Sequence, residues 1–121
     1  MSKRVLAVDD SKTMRDMVAF TLKREGFDVV EAEDGMAALE KCGDGPFDLV
    51  ISDVNMPRMD GITLVGNLRQ KPEFRATPIL ILTTEADQEK KAAGKAAGAT
   101  GWIVKPFDPA QLVDVVRRVC R

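Results

Sequence analysis

Four apolar runs in this chain stop on residues that can do chemistry. Val5–Val8 runs into Asp9-Asp10, Leu49–Ser52 into Asp53, Ile79–Leu82 into Thr83-Thr84, and Trp102–Val104 into Lys105. Clustered carboxylates repel one another, so a hard divalent cation is their natural counter-charge. Few protein oxygens in an open cluster suit Mg²⁺, which keeps several waters and takes further ligands from a phosphate. An ammonium such as Lys105 meets a phosphoryl oxygen as a point charge, and the Thr83 hydroxyl can donate to another. A carboxylate is then left to act as the nucleophile in covalent phosphoryl chemistry. Catalysis of this kind needs in-line positioning and charge neutralisation, with no general base demanded of the protein.

The stretch VISDVNMPRMDG, residues 50–61, holds the candidate nucleophile, Asp53. Asn55, two residues on, is near enough to offer its backbone carbonyl to a metal. Met56-Pro57 and Asp60-Gly61 stiffen the loop and turn it into the next helix. Taken singly, each of these residues has an ordinary explanation. Asp9-Asp10 suits a solvated turn, Asp53 the start of a turn, Thr83 a loop cap and Lys105 a snorkelling cation. Those explanations leave out their joint placement at the ends of successive runs.

Composition narrows the chemistry. The 121 residues include no histidine, which excludes His-based acid–base catalysis, a Ser-His-Asp triad and His-ligated metals. Cys42 and Cys120 match no zinc or redox spacing and read as reduced thiols, separated by the sheet. A net charge of -1 makes no electrostatic case for nucleic acid or an anionic membrane. No apolar run is long enough to span a bilayer, and MSKRVLAVDD reaches acidic residues too soon for a signal peptide. A cytoplasmic protein of one domain is expected.

The strand ends matter only if the runs lie side by side. With Val29–Ala32 there are five runs, rich in β-branched residues and not alternating with polar ones, as expected of strands covered on both faces. Helical patterns fall between them. Ser11 caps the first, with Met14, Met17, Val18, Thr21 and Leu22 on one face and Gly26 as its stop. Asp34-Gly35 opens the second, carrying Met36, Leu39 and Cys42. Gly61 opens the third, with Leu64, Val65 and Leu68. The fourth, from about Asp87 to Ala97, has a poor apolar stripe and an internal Gly94, and is expected to be the least stable. The fifth has a capping box from Asp108 to Gln111, Pro109 in its first turn, and Leu112, Val113, Val116 and Val119 as its buried face. Strand–helix alternation repeated five times predicts an α/β fold: a doubly wound, five-stranded parallel sheet with helices on both faces. Ligands in such folds bind beyond the carboxyl ends of the strands.

VLAVDDS, ISDVNMPRMDG, ILILTTEA and GWIVKPF, in this order along essentially the whole chain, resemble the motifs of response-regulator receiver domains. Among these the stand-alone, CheY-like chemotaxis regulators are the most similar. The resemblance implies the strand order 2-1-3-4-5, shared with flavodoxin-like folds. It implies Asp53 as phospho-acceptor and Asp10 and Asp53 as direct ligands of Mg²⁺, with the Asn55 carbonyl and, through a water, Asp9. Thr83 and Lys105 would contact the phosphoryl group. Trp102 would occupy an aromatic switch position usually held by Tyr or Phe, although a lone Trp is ordinarily a buried core residue. Thr84, where Ala or Gly is common, would border access to the site together with Glu85. The Lys105-Pro106 bond would be cis. Residues 1–121 would form a single receiver domain with no output domain, a monomer that is no enzyme beyond its own phosphorylation and dephosphorylation. The phosphoryl donor would be a sensor histidine kinase or a histidine phosphotransfer protein. A flagellar motor switch protein and a phosphatase would be further partners.

Other readings share parts of this pattern. A phosphorelay intermediate, or a receiver in cell-cycle or developmental control, differs only in its surface. A dehalogenase-type phosphatase also uses Asp, Thr, Lys and Mg²⁺, but its second Asp is replaced here by Asn55. A flavin-binding module would need a Ser/Thr/Gly-rich phosphate loop after the first strand, and none is present.

Overall fold

The computed structural model describes residues 3–84 and 88–120, without the side chains of Asp44 and Thr84. Strands and helices alternate: β1 (Arg4–Val8), α1 (Lys12–Arg24), β2 (Asp28–Ala32), α2 (Gly35–Lys41), β3 (Leu49–Asp53), α3 (Gly61–Arg69), β4 (Ile79–Thr84), α4 (Gln88–Ala97), β5 (Gly101–Lys105) and α5 (Pro109–Val119). The sheet has five strands in the order β2-β1-β3-β4-β5, and every pairing is parallel. This is the doubly wound architecture expected from the alternation.

The continuous apolar runs are resolved by the two-residue period of a strand. Val5, Ala7, Leu49, Ile51, Leu80, Leu82 and Ile103 face one way, against Val18 and Leu22 of α1 and Leu112 and Val116 of α5. Leu6, Val8, Val50, Ile79 and Ile81 face the other way, against Ala38 of α2 and Leu64, Val65 and Leu68 of α3. Cys42 belongs to the second cluster and Cys120 packs on the first, so the sheet separates two free thiols.

Side-chain caps start the helices where the strands hand over. Ser11, Asp34, Asp60 and Asp108 each accept the backbone N–H three residues on, from Met14 (3.2 Å), Ala37 (2.8 Å), Thr63 (2.7 Å) and Gln111 (2.8 Å). Each such cap contributes about 1 kcal/mol. Gln111 completes the capping box by accepting from the Asp108 N–H.

The buried faces depart from the expected ones in two helices. On α2 the core residue is Ala38, and Met36 is 41% exposed. On α5, Val113 turns toward α1 and Val115 packs on the core in its place. In both cases the apolar stripe is narrower than the run of apolar residues suggests, because the helix meets the sheet along one line. The fourth helix is described over Gln88–Ala97, and the expected start at about Asp87 lies outside the described residues. Its Gly94 is not simply a weak point. A Cβ there would stand 2.5 Å from Ile81 Cδ1, so the glycine lets a helix with little apolar surface approach β4 closely.

Gly61 makes the tightest approach. A Cβ on it would lie 2.1 Å from the carbonyl oxygen of Asp53, and its N–H donates to Val54 O at 2.8 Å. Gly66, in the same helix, has nothing within 4 Å of an added Cβ. Alanine at the two positions is therefore expected to act in opposite directions. Gly61→Ala destabilises by about 1–3 kcal/mol through overpacking, and Gly66→Ala stabilises by roughly 0.5–1 kcal/mol through helix propensity. Urea denaturation of the two variants measures both, and equal signs would contradict this packing.

Candidate functional site

Parallel pairing brings the strand ends to one edge. Asp53 closes β3 and Lys105 closes β5, while Thr83 is opposite Val104 and Thr84 opposite Lys105. Asp9 follows β1, its N–H carrying the β1–β2 ladder one step further to Ala32 O at 3.1 Å. Asp9, Asp53 and Thr83 are buried, and Asp10 is exposed. Asp9, Asp10 and Asp53 each bring a carboxylate oxygen within 4.8 Å of the others'.

One cation is built into the cluster. Lys105 Nζ donates to Asp53 Oδ1 at 3.0 Å and lies 3.5 Å from Asp9 Oδ2. Backbone amides hold the inner oxygens: Val54 N–H donates to Asp53 Oδ1 at 2.9 Å, and Ser11 N–H donates to Asp9 Oδ1 at 2.9 Å. Burial raises the carboxyl of Asp9 above its ordinary value; the neighbouring Asp53 charge adds to this, and the Ser11 amide and Lys105 oppose it. Among the described residues, two buried side-chain polar atoms have no hydrogen-bond partner, Asp9 Oδ2 and Thr83 Oγ1. Buried polar atoms are ordinarily paired. Both unpaired ones belong to residues of this edge.

The loop after β3 is anchored from outside. Arg58 has φ 65°, an uncommon conformation for a residue with a side chain. Its guanidinium makes two bonds to Asp34, the cap of α2, at 2.7 and 2.9 Å, and these hold the Asp34 carboxyl below its usual range. Asn55 lies in this loop, exposed, two residues past Asp53. A second arginine, Arg15 on α1, donates to the carbonyl of Asp9 at 2.7 Å. Neither arginine carries a motif. The only sequence signal for Arg58 is its seat between Pro57 and Asp60, and for Arg15 its place one turn past the Ser11 cap.

The remaining expected residues divide. Trp102 is not a permanent core residue: it is 40% exposed, with Lys91 Nζ 5.4 Å from the ring centroid. Its strand is at the sheet edge, and α4 offers little side-chain volume to cover it. Thr84 ends β4, and its side chain, like all of Glu85, lies outside the described residues. The Lys105–Pro106 peptide bond is cis. No helix among the described residues is long and apolar enough to cross a membrane.

Comparison with known proteins agrees with this geometry. The family model described as response regulator receiver domain matches residues 5–117. Chemotaxis protein CheY-3 of Vibrio cholerae is 41% identical over 117 residues, covering 96% of this chain and 90% of that protein. The phosphate regulon transcriptional regulatory protein PhoB of Escherichia coli K12 is 35% identical over the whole chain, which spans 53% of PhoB. The structure of the chemotaxis response regulator CheY4 of Vibrio cholerae superposes with a TM-score of 0.94 at 50% identity, covering 98% of this chain and 99% of that one. With its 2-1-3-4-5 parallel sheet and an acidic cluster at the carboxyl edge, the chain belongs to the response regulator receiver domains, which are signalling proteins.

Proposed function

We propose that this chain is a receiver domain that accepts a phosphoryl group on Asp53 from a phosphohistidine of another protein. It then signals by binding partners in a phosphorylation-dependent way, in chemotaxis at the flagellar motor switch. The donor is a sensor histidine kinase or a histidine phosphotransfer protein, and a phosphatase resets the signal. The protein acts as a cytoplasmic monomer. The chemotaxis assignment draws on the relatives: CheY-3 and CheY4 carry chemotaxis in their names, and each is matched over most of its length.

The observation that carries the chemistry is a pair of buried atoms without a hydrogen bond, Thr83 Oγ1 and Asp9 Oδ2, the latter held only by a 3.5 Å ion pair to the same Lys105 that pairs with Asp53. In the reaction an oxygen of Asp53 bonds to phosphorus while the P–N bond to the donor histidine breaks, and the imidazole nitrogen takes the electron pair. Asp53 is held for this by Val54 N–H and by its place at the end of a buried strand. Lys105 turns from Asp53 to the phosphoryl oxygens as a point charge, and Thr83 donates its hydroxyl to another. Asp10, Asp53 and the Asn55 carbonyl would hold Mg²⁺, with Asp9 reaching it through a water; the Asp9 oxygen without a hydrogen bond and the converging carboxylates fit a hard cation. When bound, Mg²⁺ supplies charge neutralisation at the phosphoryl oxygens.

Phosphorylation is read out through Thr83 and Trp102. A near-complete two-state switch needs about 5.5 kcal/mol of differential binding. One hydrogen bond to a charged acceptor supplies roughly 1.5–3 kcal/mol. Lys105, the cation and the output partner make up the difference, so modification alone shifts the population only in part.

Labelling decides the chemistry. With Mg²⁺ and either a phosphohistidine donor or a small acyl phosphate, the wild type is expected to take up one phosphoryl group and Asp53→Asn none. Undiminished labelling of Asp53→Asn would overturn the assignment. A pull-down with the phosphorylated form separates chemotaxis from a phosphorelay by recovering either a motor switch protein or a phosphotransfer protein.

The raised Asp9 carboxyl gives a pH test. Folding favours its protonated form, so its contribution to stability is present below the unfolded-state value and lost as pH rises through the higher folded-state value. Without divalent cation, Asp9→Asn is expected to raise the melting temperature, by a margin that widens from about pH 4 to pH 7. A margin that shrinks over this range would contradict the burial argument.

Trp102 is the sole tryptophan, so its fluorescence reports the readout. Adding Mg²⁺ with beryllofluoride is expected to change its exposure to quencher, and partner binding to change it further. Thr83→Ala should uncouple the second change from the first. Constant exposure in all states would remove Trp102 from the mechanism.

A further inference from the structure

Arg15 stands outside the motifs, yet it grips the segment that carries the acidic pair. Its side chain is 17% exposed and reaches back from α1 toward the end of β1. Nη1 donates to the carbonyl of Asp9 at 2.7 Å, and Nε lies 3.6 Å from Oε1 of Glu31, which sits on β2 opposite Ala7. One guanidinium thus ties together α1, the residue after β1, and β2.

Every other polar group of Asp9 is accounted for on the inner side. Its N–H continues the ladder to Ala32, and Oδ1 accepts from Ser11 N–H. Its Oδ2 makes no hydrogen bond and faces Lys105 in a 3.5 Å ion pair. The carbonyl is the last handle on the residue, and Arg15 holds it. A peptide unit is planar, so fixing the Asp9 carbonyl also fixes the nitrogen and Cα of Asp10. Asp10 is exposed, and its direction is set through this backbone. We infer that Arg15 is a positioning residue for cation binding: by clamping the Asp9–Asp10 peptide, it holds the Asp10 carboxylate where it converges with those of Asp9 and Asp53. The inference rests on the cation-binding reading proposed above.

Charge and positioning predict opposite signs here. Arg15 is a cation near a cation site, so its charge alone weakens binding, and removing it would tighten Mg²⁺ affinity. As a clamp behind a ligand, its removal loosens the site. Residues that orient ligands from behind typically alter metal affinity by about 10–100-fold.

The test is calorimetric titration of the metal-free protein with MgCl₂ alone, alongside melting temperatures in chelator. Arg15→Met is expected to weaken Mg²⁺ binding by about tenfold or more, and Arg15→Lys, which keeps the charge and one donor, to recover part of the loss. Arg117→Ala, which cuts the ion pair between α5 and Glu25 at the end of α1, is the control for helix docking. It should leave Mg²⁺ affinity at the wild-type value whatever it does to melting. If Arg15→Met does not fold, Arg15→Gln is read in the same way. Affinity that is unchanged or tighter without the guanidinium, in a wild type that binds Mg²⁺, overturns the positioning role alone. A wild type that takes up no Mg²⁺ overturns the proposed cation site and this inference with it.

Discussion

Two carboxylates lie close together at a nearly dry sheet edge, and the rest of the structure is arranged around that repulsion. Unit charges about 4 Å apart interact by roughly 4 kcal/mol at the effective dielectric near a protein surface. Asp9 and Asp53 are 2% and 7% exposed, so water does little to relieve them. Lys105 sits against both, and the amides of Ser11 and Val54 each take one oxygen. What remains without a hydrogen bond, the Asp9 oxygen that meets only the Lys105 charge and the Thr83 hydroxyl, is polar capacity of the kind a folded domain keeps only where something else completes it.

Holding that edge requires a stiff base. The three inner strands are buried on both faces by separate apolar clusters, which leaves the strand ends little freedom. Turning a strand into a helix costs backbone hydrogen bonds, and Ser11, Asp34, Asp60 and Asp108 recover one at the starts of α1, α2, α3 and α5. Gly61 lets α3 begin against the carbonyl of Asp53 itself, so the helix backs that residue directly. The arginines tie this base sideways: Arg58 joins the β3–α3 loop to α2, and Arg15 joins the end of β1 to α1 and β2.

Rigidity is not uniform. On α4 the buried residue is a glycine, and the strand beside it carries a half-uncovered tryptophan against Lys91. Little apolar area opposes a shift of this helix, whereas Leu64, Val65 and Leu68 lock α3 to the sheet. Few buried contacts make a segment cheap to move. The contrast places the compliant surface next to β4 and β5, the strands that carry Thr83 and Lys105. That is where a signal from the proposed phosphorylation site has the shortest path outward.

The alternation of five apolar runs with helical patterns was enough to determine the doubly wound class, because doubly covered strands need long apolar runs and parallel pairing needs crossovers. The same logic made the meeting of Asp9, Asp10, Asp53, Thr83 and Lys105 readable, since parallel strands send their carboxyl ends to one edge. Caps at Ser11 and Asp108, and the helix openings at Asp34-Gly35 and Gly61, were equally plain, being local chemistry of a few residues. The strand order came from resemblance to a known family and not from any local pattern. Packing across the sheet alone decided the rest. Met36 and Val113 are apolar yet do not enter the core, Gly94 is a close contact before it is a weak point, and Trp102 lies open because an edge strand and an alanine-rich helix leave it uncovered. Arg15 and Arg58 became visible only in three dimensions: an arginine's partners are chosen by whichever carbonyl or carboxylate the fold brings within reach of its long side chain, and residue type and spacing do not record that.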